Sequence, residues 1–128
     1  MRREQDFYKA LFIGDDRFLL NNLICEFLRN EKISIISAPT WDNGIKCMEN
    51  NELKAVIIDS MLISRLSASA VLPAIKRSKA VFFFINCQPD MWIYEIADKI
   101  KGKTIIIYKR PLNIDKFIKA VKKVCKKK

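Results

Sequence analysis

Five short apolar runs punctuate the chain, at Ala10–Ile13, Ile33–Ile36, Ala55–Ile58, Val81–Ile85 and Ile105–Ile107. They are rich in Ile, Val and Phe and mostly continuous rather than alternating. That is the pattern of strands covered on both faces, as in a parallel sheet. The segments between them carry helical spacing. Leu20, Leu23, Ile24, Phe27 and Leu28 line one face of the first, and segments near Trp41–Asn50 and Leu66–Lys76 supply the second and third. Ile93, Ile96, Ala97 and Ile100 line the fourth, with Asp90 as its expected N-cap and Gly102 as its stop. The last helix is expected to bury Ile114, Phe117, Ile118, Val121 and Val124 while Lys116, Lys119, Lys122, Lys123 and Lys126 face outward.

Strand and helix thus alternate five times. Alternation of this kind predicts an α/β fold: one doubly wound, five-stranded parallel sheet with helices on both faces, joined by right-handed crossovers. No linker interrupts it, so residues 1–128 are expected to form a single domain with a core over about 8–125.

Composition narrows the chemistry. Half of the 128 residues are apolar, enough for a hydrophobic core. Histidine is missing altogether, which excludes Ser-His-Asp and Cys-His dyads, His-containing zinc sites and a phosphohistidine on this chain. Gly14, Gly44 and Gly102 are too few and too far apart for a glycine-rich phosphate loop. Cys25, Cys47, Cys87 and Cys125 form no CxxC pair, so reduced thiols in a cytoplasmic protein are expected. The amino terminus leads into no long apolar stretch, and the apolar runs are far too short to span a membrane.

In open α/β sheets ligands bind beyond the carboxyl ends of the strands, where the strand order reverses. There the chain places Gly14, Asp15 and Asp16 after the first strand and Asp59 after the third. Asn86 and Cys87 follow the fourth, and Lys109, Arg110 and Pro111 the fifth. With strand order 2-1-3-4-5, the first and third strands are neighbours and three carboxylates converge. At about 5 Å and an effective dielectric near 20, each pair repels by about 3 kcal/mol. A hard divalent cation removes that penalty, and Mg²⁺ suits a site with few carboxylates and room for a phosphoryl oxygen. A cationic Lys109 or Arg110 across the cleft would hold the phosphoryl group's other side.

Phe12-Ile13-Gly14-Asp15-Asp16, Val56 to Leu62 with Asp59 in it, Phe83-Phe84-Ile85-Asn86-Cys87 and Arg110-Pro111-Leu112 together resemble a response-regulator receiver domain, CheY-like and of flavodoxin-like topology. The resemblance implies a phosphoacceptor in two-component phosphorelay signal transduction, a regulatory domain rather than an enzyme. Asp59 would take a phosphoryl group from the phosphohistidine of a sensor kinase or phosphotransfer protein. Asp16, Asp59 and the backbone carbonyl of Met61 would hold Mg²⁺, with Asp15 acting through water. A carboxylate nucleophile is already ionised at neutral pH, so no histidine base is required.

The chain departs from that pattern in the other half of the site. Asn86 stands where the family has Ser or Thr, Arg110 where it has Lys before proline, Ile107 at the aromatic switch position and Ile63 where a proline is usual. Met61 and Gln88 occupy the positions that flank approaching water and so tune loss of the phosphoryl group. Two readings follow: phosphoryl chemistry at Asp59 with an altered switch, which is preferred, or a degenerate receiver that binds partners independently of phosphorylation. Each residue also has a plainer role open to it: Asp15 and Asp16 as helix caps, Asn86 as a turn former, Cys87 as a small filler, Trp41 and Trp92 as packing residues.

Charge bears on partners. Residues 1–100 are electrically balanced, whereas residues 101–128 hold eleven basic side chains against Asp115 alone, so the whole net charge of +10 lies there. The resemblance implies a downstream protein partner on the face of the fourth helix, fifth strand and fifth helix, where these lysines would favour an acidic surface. Nucleic acid is the disfavoured alternative: no recognisable helix-turn-helix or RNA-recognition motif accompanies the lysines, and a solvated helix face explains most of them. No membrane partner is expected, and self-association as a homodimer stays open.

Overall fold

Backbone pairing extends further than the apolar runs that mark the strands. A computed structural model of the chain describes residues 8–14, 19–88, 92–97, 100, 105–109 and 112–126. Its elements are β1 (Tyr8–Ile13), α1 (Leu19–Asn30), β2 (Ile33–Ala38), α2 (Trp41–Asn50), β3 (Ala55–Asp59), α3 (Ala68–Arg77), β4 (Val81–Cys87), α4 (Ile93–Ala97), β5 (Ile105–Lys109) and α5 (Ile114–Lys126). Asp59, Asn86, Cys87 and Lys109 were expected just beyond their strands, yet Asp59, Cys87 and Lys109 each close one and Asn86 lies inside β4. Ladder bonds use main-chain groups and do not require apolar side chains.

All strand pairs are parallel, in the order β2-β1-β3-β4-β5. Period-two alternation divides each central strand between two cores. Leu11, Ile13, Val56, Ile58, Phe82 and Phe84 meet Val71 and Ile75 of α3 and Ile93 of α4 on one face. Ala10, Phe12, Ile57, Phe83 and Ile85 meet Leu28 of α1 and Phe117, Val121 and Cys125 of α5 on the other. Every residue of β3 is buried, as a doubly covered central strand requires, whereas the outer strand β5 is largely half-buried and β2 exposes Ser34 and Ser37.

Helix starts follow local hydrogen bonding. Thr40 Oγ1 accepts from the Asn43 N–H and starts α2. Asn113 Oδ1 accepts from the Lys116 N–H and starts α5. The expected third helix began at Leu66, but the Leu66 N–H is bound to the Ile63 carbonyl in a turn, and α3 starts at Ala68.

Three expectations change on the helical faces. Phe27 is 43 % exposed, not buried, because it lies about 100° around α1 from Leu28 while Cys25 completes the inward face. Cys125 belongs to the buried set of α5, whereas Ile114, Ile118 and Val124 are half-buried. The described part of α4 is five residues, and Ile100 is buried outside it. The apolar spacing there marked core positions rather than helix length. Asp90 and Gly102, its expected cap and stop, lie outside the described residues.

Phe117 anchors α5, meeting Phe83 and Tyr108 edge-on with centroids 5.9 and 5.5 Å apart. Lys122 Nζ lies 2.8 Å from Glu31 Oε1 between α5 and the end of α1 and holds the Glu31 carboxyl below its usual range. Such an exposed pair contributes little to stability. Among the described residues no helix is long and apolar enough to cross a membrane.

Phe117→Ala should destabilise the protein by about 3–5 kcal/mol in urea titrations; a cost below about 1 kcal/mol would contradict the packing described. Burial pushes the Cys125 thiol up to about 11. The unfolded thiol ionises first, so the stability this group contributes is present at neutral pH and lost as pH rises from about 8.5 towards 11. Cys125→Val should flatten the fall of the urea midpoint across that window; an unchanged slope would count against it.

Candidate functional site

Asp59 ends β3 and is only 6 % exposed. Its Oδ1 accepts from the Met61 N–H at 3.1 Å and from Asn86 Nδ2 at 3.4 Å. The chain then continues through tight turns in which Leu62 and Ile63 donate to the Asp59 and Ser60 carbonyls. Ile63 is fully buried, so a proline there would forfeit both a core side chain and this donor.

Gly14 brings the end of β1 against the same carboxylate. Its N–H donates to the Ala38 carbonyl, and a Cβ built on it would fall 3.1 Å from the Asp59 Cβ and 2.7 Å from the Phe12 ring. The close approach therefore depends on glycine. Asp15 and Asp16 follow directly in sequence, but both lie outside the described residues, as do Arg110 and Pro111. Among the described residues no cluster of three metal-ligating side chains occurs.

On the other side, β4 departs from a regular ladder. Phe84 pairs with Ile107 but Cys87 pairs with Lys109, so β4 spends one residue more than β5 over this stretch. Asn86 sits in that bulge at φ 60°, a left-handed conformation that Asn adopts more readily than other residues with a side chain. The bulge turns its amide to Asp59 and supplies a reason for Asn where Ser or Thr was expected: a β-branched Thr would be strained there.

The remaining sequence candidates fall around this centre. Lys109 is exposed at the end of β5, and Ile107 is half-buried against the α3–α4 side core. Met61 is 41 % exposed and Gln88 is exposed. The Met61 carbonyl accepts from Ser64 Oγ at 2.9 Å and from the Ser64 N–H at 3.5 Å. Trp41 and Trp92 pack against the core, and Trp92 Nε1 donates to the Leu66 carbonyl.

Sequence reasoning gave no role to Ser60 and treated Cys87 as filler. Both are buried, and Ser60 Oγ lies 2.9 Å from Cys87 Sγ directly behind the Asp59–Asn86 contact. Burial, helped by the Asp59 charge, pushes the thiol's pKa up against the opposing Ser60 hydrogen bond, so it stays protonated and is no nucleophile. The Tyr94 hydroxyl is also buried without a hydrogen-bond partner among the described residues. Polar residues at the ends of apolar strands were the available signal; the bulge that brings Cys87 to Ser60 left none.

Asn86→Thr should lower stability by about 1–2 kcal/mol through the left-handed backbone, and Asn86→Gly should cost much less. Urea midpoints of the two variants check this; equal losses would contradict the conformational reason for Asn86.

No family model matches the sequence, and neither does any curated protein. Solved structures do. A response regulator receiver domain protein from Bacillus halodurans superposes with TM-score 0.73 at 12 % identity, covering 95 % of this chain and 99 % of that one. The signal receiver domain of a protein named Luxo repressor, from Vibrio parahaemolyticus, gives 0.68 at 20 % identity, covering 94 % and 91 %. A response regulator from Thermotoga maritima gives 0.63 at 14 %, covering 94 % and 100 %. The chain has the receiver fold, a five-stranded parallel sheet in the order 2-1-3-4-5 shared over nearly the full length of each of these proteins.

Proposed function

We propose that the chain is a response-regulator receiver domain of two-component signalling, with Asp59 as phosphoacceptor. The observation that carries this reading is the Asp59 carboxylate itself: nearly buried, at the carboxyl end of the central strand, beside Gly14 and bonded through one oxygen to Met61 N–H and Asn86. A carboxylate oxygen attacks the phosphorus of a phosphohistidine on a sensor kinase or phosphotransfer protein. The P–N bond breaks, the imidazole nitrogen keeps the electron pair and takes a proton, and an aspartyl phosphate remains. The domain is regulatory rather than an enzyme.

The donor set fits a hard cation: the Asp59 carboxylate and the Met61 carbonyl supply oxygen, and Asp15 and Asp16 adjoin Gly14 in sequence. Mg²⁺ bound there supplies charge neutralisation and orientation of the phosphoryl oxygens. The chain's own residues do the rest. Asn86 donates an amide N–H towards the phosphoryl group, Lys109 and Arg110 offer positive charge, and exposed Met61 and Gln88 tune access of hydrolytic water. Output passes to an acidic protein surface on the α4–β5–α5 side, where Lys116, Lys119 and Lys123 are exposed and make no ion pair among the described residues.

The absence of a hydroxyl at Asn86 and of an aromatic ring at Ile107 favours a second reading, a module that binds its partner without phosphorylation. Incubation with acetyl phosphate and Mg²⁺, read on Phos-tag gels, separates the two. The first reading expects one shifted band, lost in Asp59→Asn and on chelation of Mg²⁺; an unshifted wild-type protein would favour the second.

A further inference from the structure

Side chains of a regular strand alternate, so residues 82, 84 and 86 of β4 should face the α3–α4 layer and residue 87 the opposite one. Phe82 and Phe84 obey this, but Cys87 rather than Asn86 takes the next place on that face. There its Sγ sits 2.9 Å from Ser60 Oγ and 3.6 Å from the Phe84 carbonyl, with Cys87 and Ser60 1 % and 0 % exposed. The Ser60 N–H bonds the Ile85 carbonyl, so the two strand ends are tied by main chain and side chain together.

We infer that the Ser60–Cys87 contact positions the candidate site: by holding Cys87 behind the sheet it keeps the β4 bulge, and the bulge aims the Asn86 amide at Asp59. Without the extra residue, Asn86 would stand opposite Lys109 and turn its amide into the apolar layer beside Phe84. A buried amide with no partner there is disfavoured, and so is a Cys87 lacking its hydroxyl neighbour. The contact therefore acts on the site through the reach of Asn86. Ser60 and Cys87 touch neither nucleophile nor phosphoryl group; they are positioning residues. The inference rests on the phosphoacceptor reading above.

A double-mutant cycle tests it. The rate of phosphoryl uptake from acetyl phosphate at saturating Mg²⁺ is measured for wild type, Cys87→Ala, Asn86→Ala and the double variant. Cys87→Ala should slow uptake roughly tenfold, Cys87→Ser should restore most of the rate, and the Cys87→Ala effect should vanish once Asn86 is alanine. An equal loss in both backgrounds, or no loss at all, would overturn the inference while leaving the phosphoacceptor reading intact. Failure of wild type to take up phosphoryl would overturn that reading and, with it, the inference. The Asn86 side-chain amide resonance gives a readout independent of activity: it should move in Cys87→Ala and Ser60→Ala and stay in Cys87→Ser. An amide that ignores all three variants would also refute positioning.

Discussion

A carboxylate that closes a fully buried strand needs polar partners or a counter-charge, since burying it bare costs several kcal/mol. Asp59 is in that position, and the neighbouring geometry answers to it. The turn after β3 directs the Met61 N–H back onto the carboxylate, glycine at position 14 lets β1 come close, and the bulge in β4 presents an amide from the far side. None of these features serves the sheet as such. A plain parallel sheet would be built more simply with an apolar residue at 59 and a regular end to β4.

The two cores make that arrangement firm. β1, β3 and β4 are gripped by α2, α3 and α4 on one side and by α1 and α5 on the other, so their carboxyl ends are held in fixed register. Chemistry is then left to the last residue of each strand and the turn that follows, where main-chain groups are not all spent on the ladder. The basic surface of α5 is separate from this centre. Its apolar side is taken up by Phe117, Val121 and Cys125, which leaves charge alone to act outward.

Much of this could be read from the amino acids, and the exceptions have physical causes. Continuous runs such as Ala55–Ile58 and Val81–Ile85 announce doubly covered strands, and alternation with helical segments leaves few topologies. Strand order and the place of Asp59 followed. Phe27 misled because an apolar side chain one position off the buried arc is indistinguishable by type from one within it. Ile100 misled because the core recruits residues past a helix end. The bulge escaped notice altogether: a left-handed Asn looks in sequence like any turn-forming Asn, and only the register against β5 separates a residue after a strand from one inside it. The Ser60–Cys87 contact depends on that bulge, so it too was hidden.

The central claim is that Asp59, and no other side chain, receives the phosphoryl group. An acyl phosphate differs from a phosphoserine in its chemistry: borohydride reduces it to the alcohol, converting the aspartate to homoserine. Protein treated with acetyl phosphate and Mg²⁺, then reduced and sequenced by tandem mass spectrometry, should carry homoserine at position 59 alone. Unmodified aspartate at 59, with phosphate retained on Ser60 or elsewhere, would contradict the account.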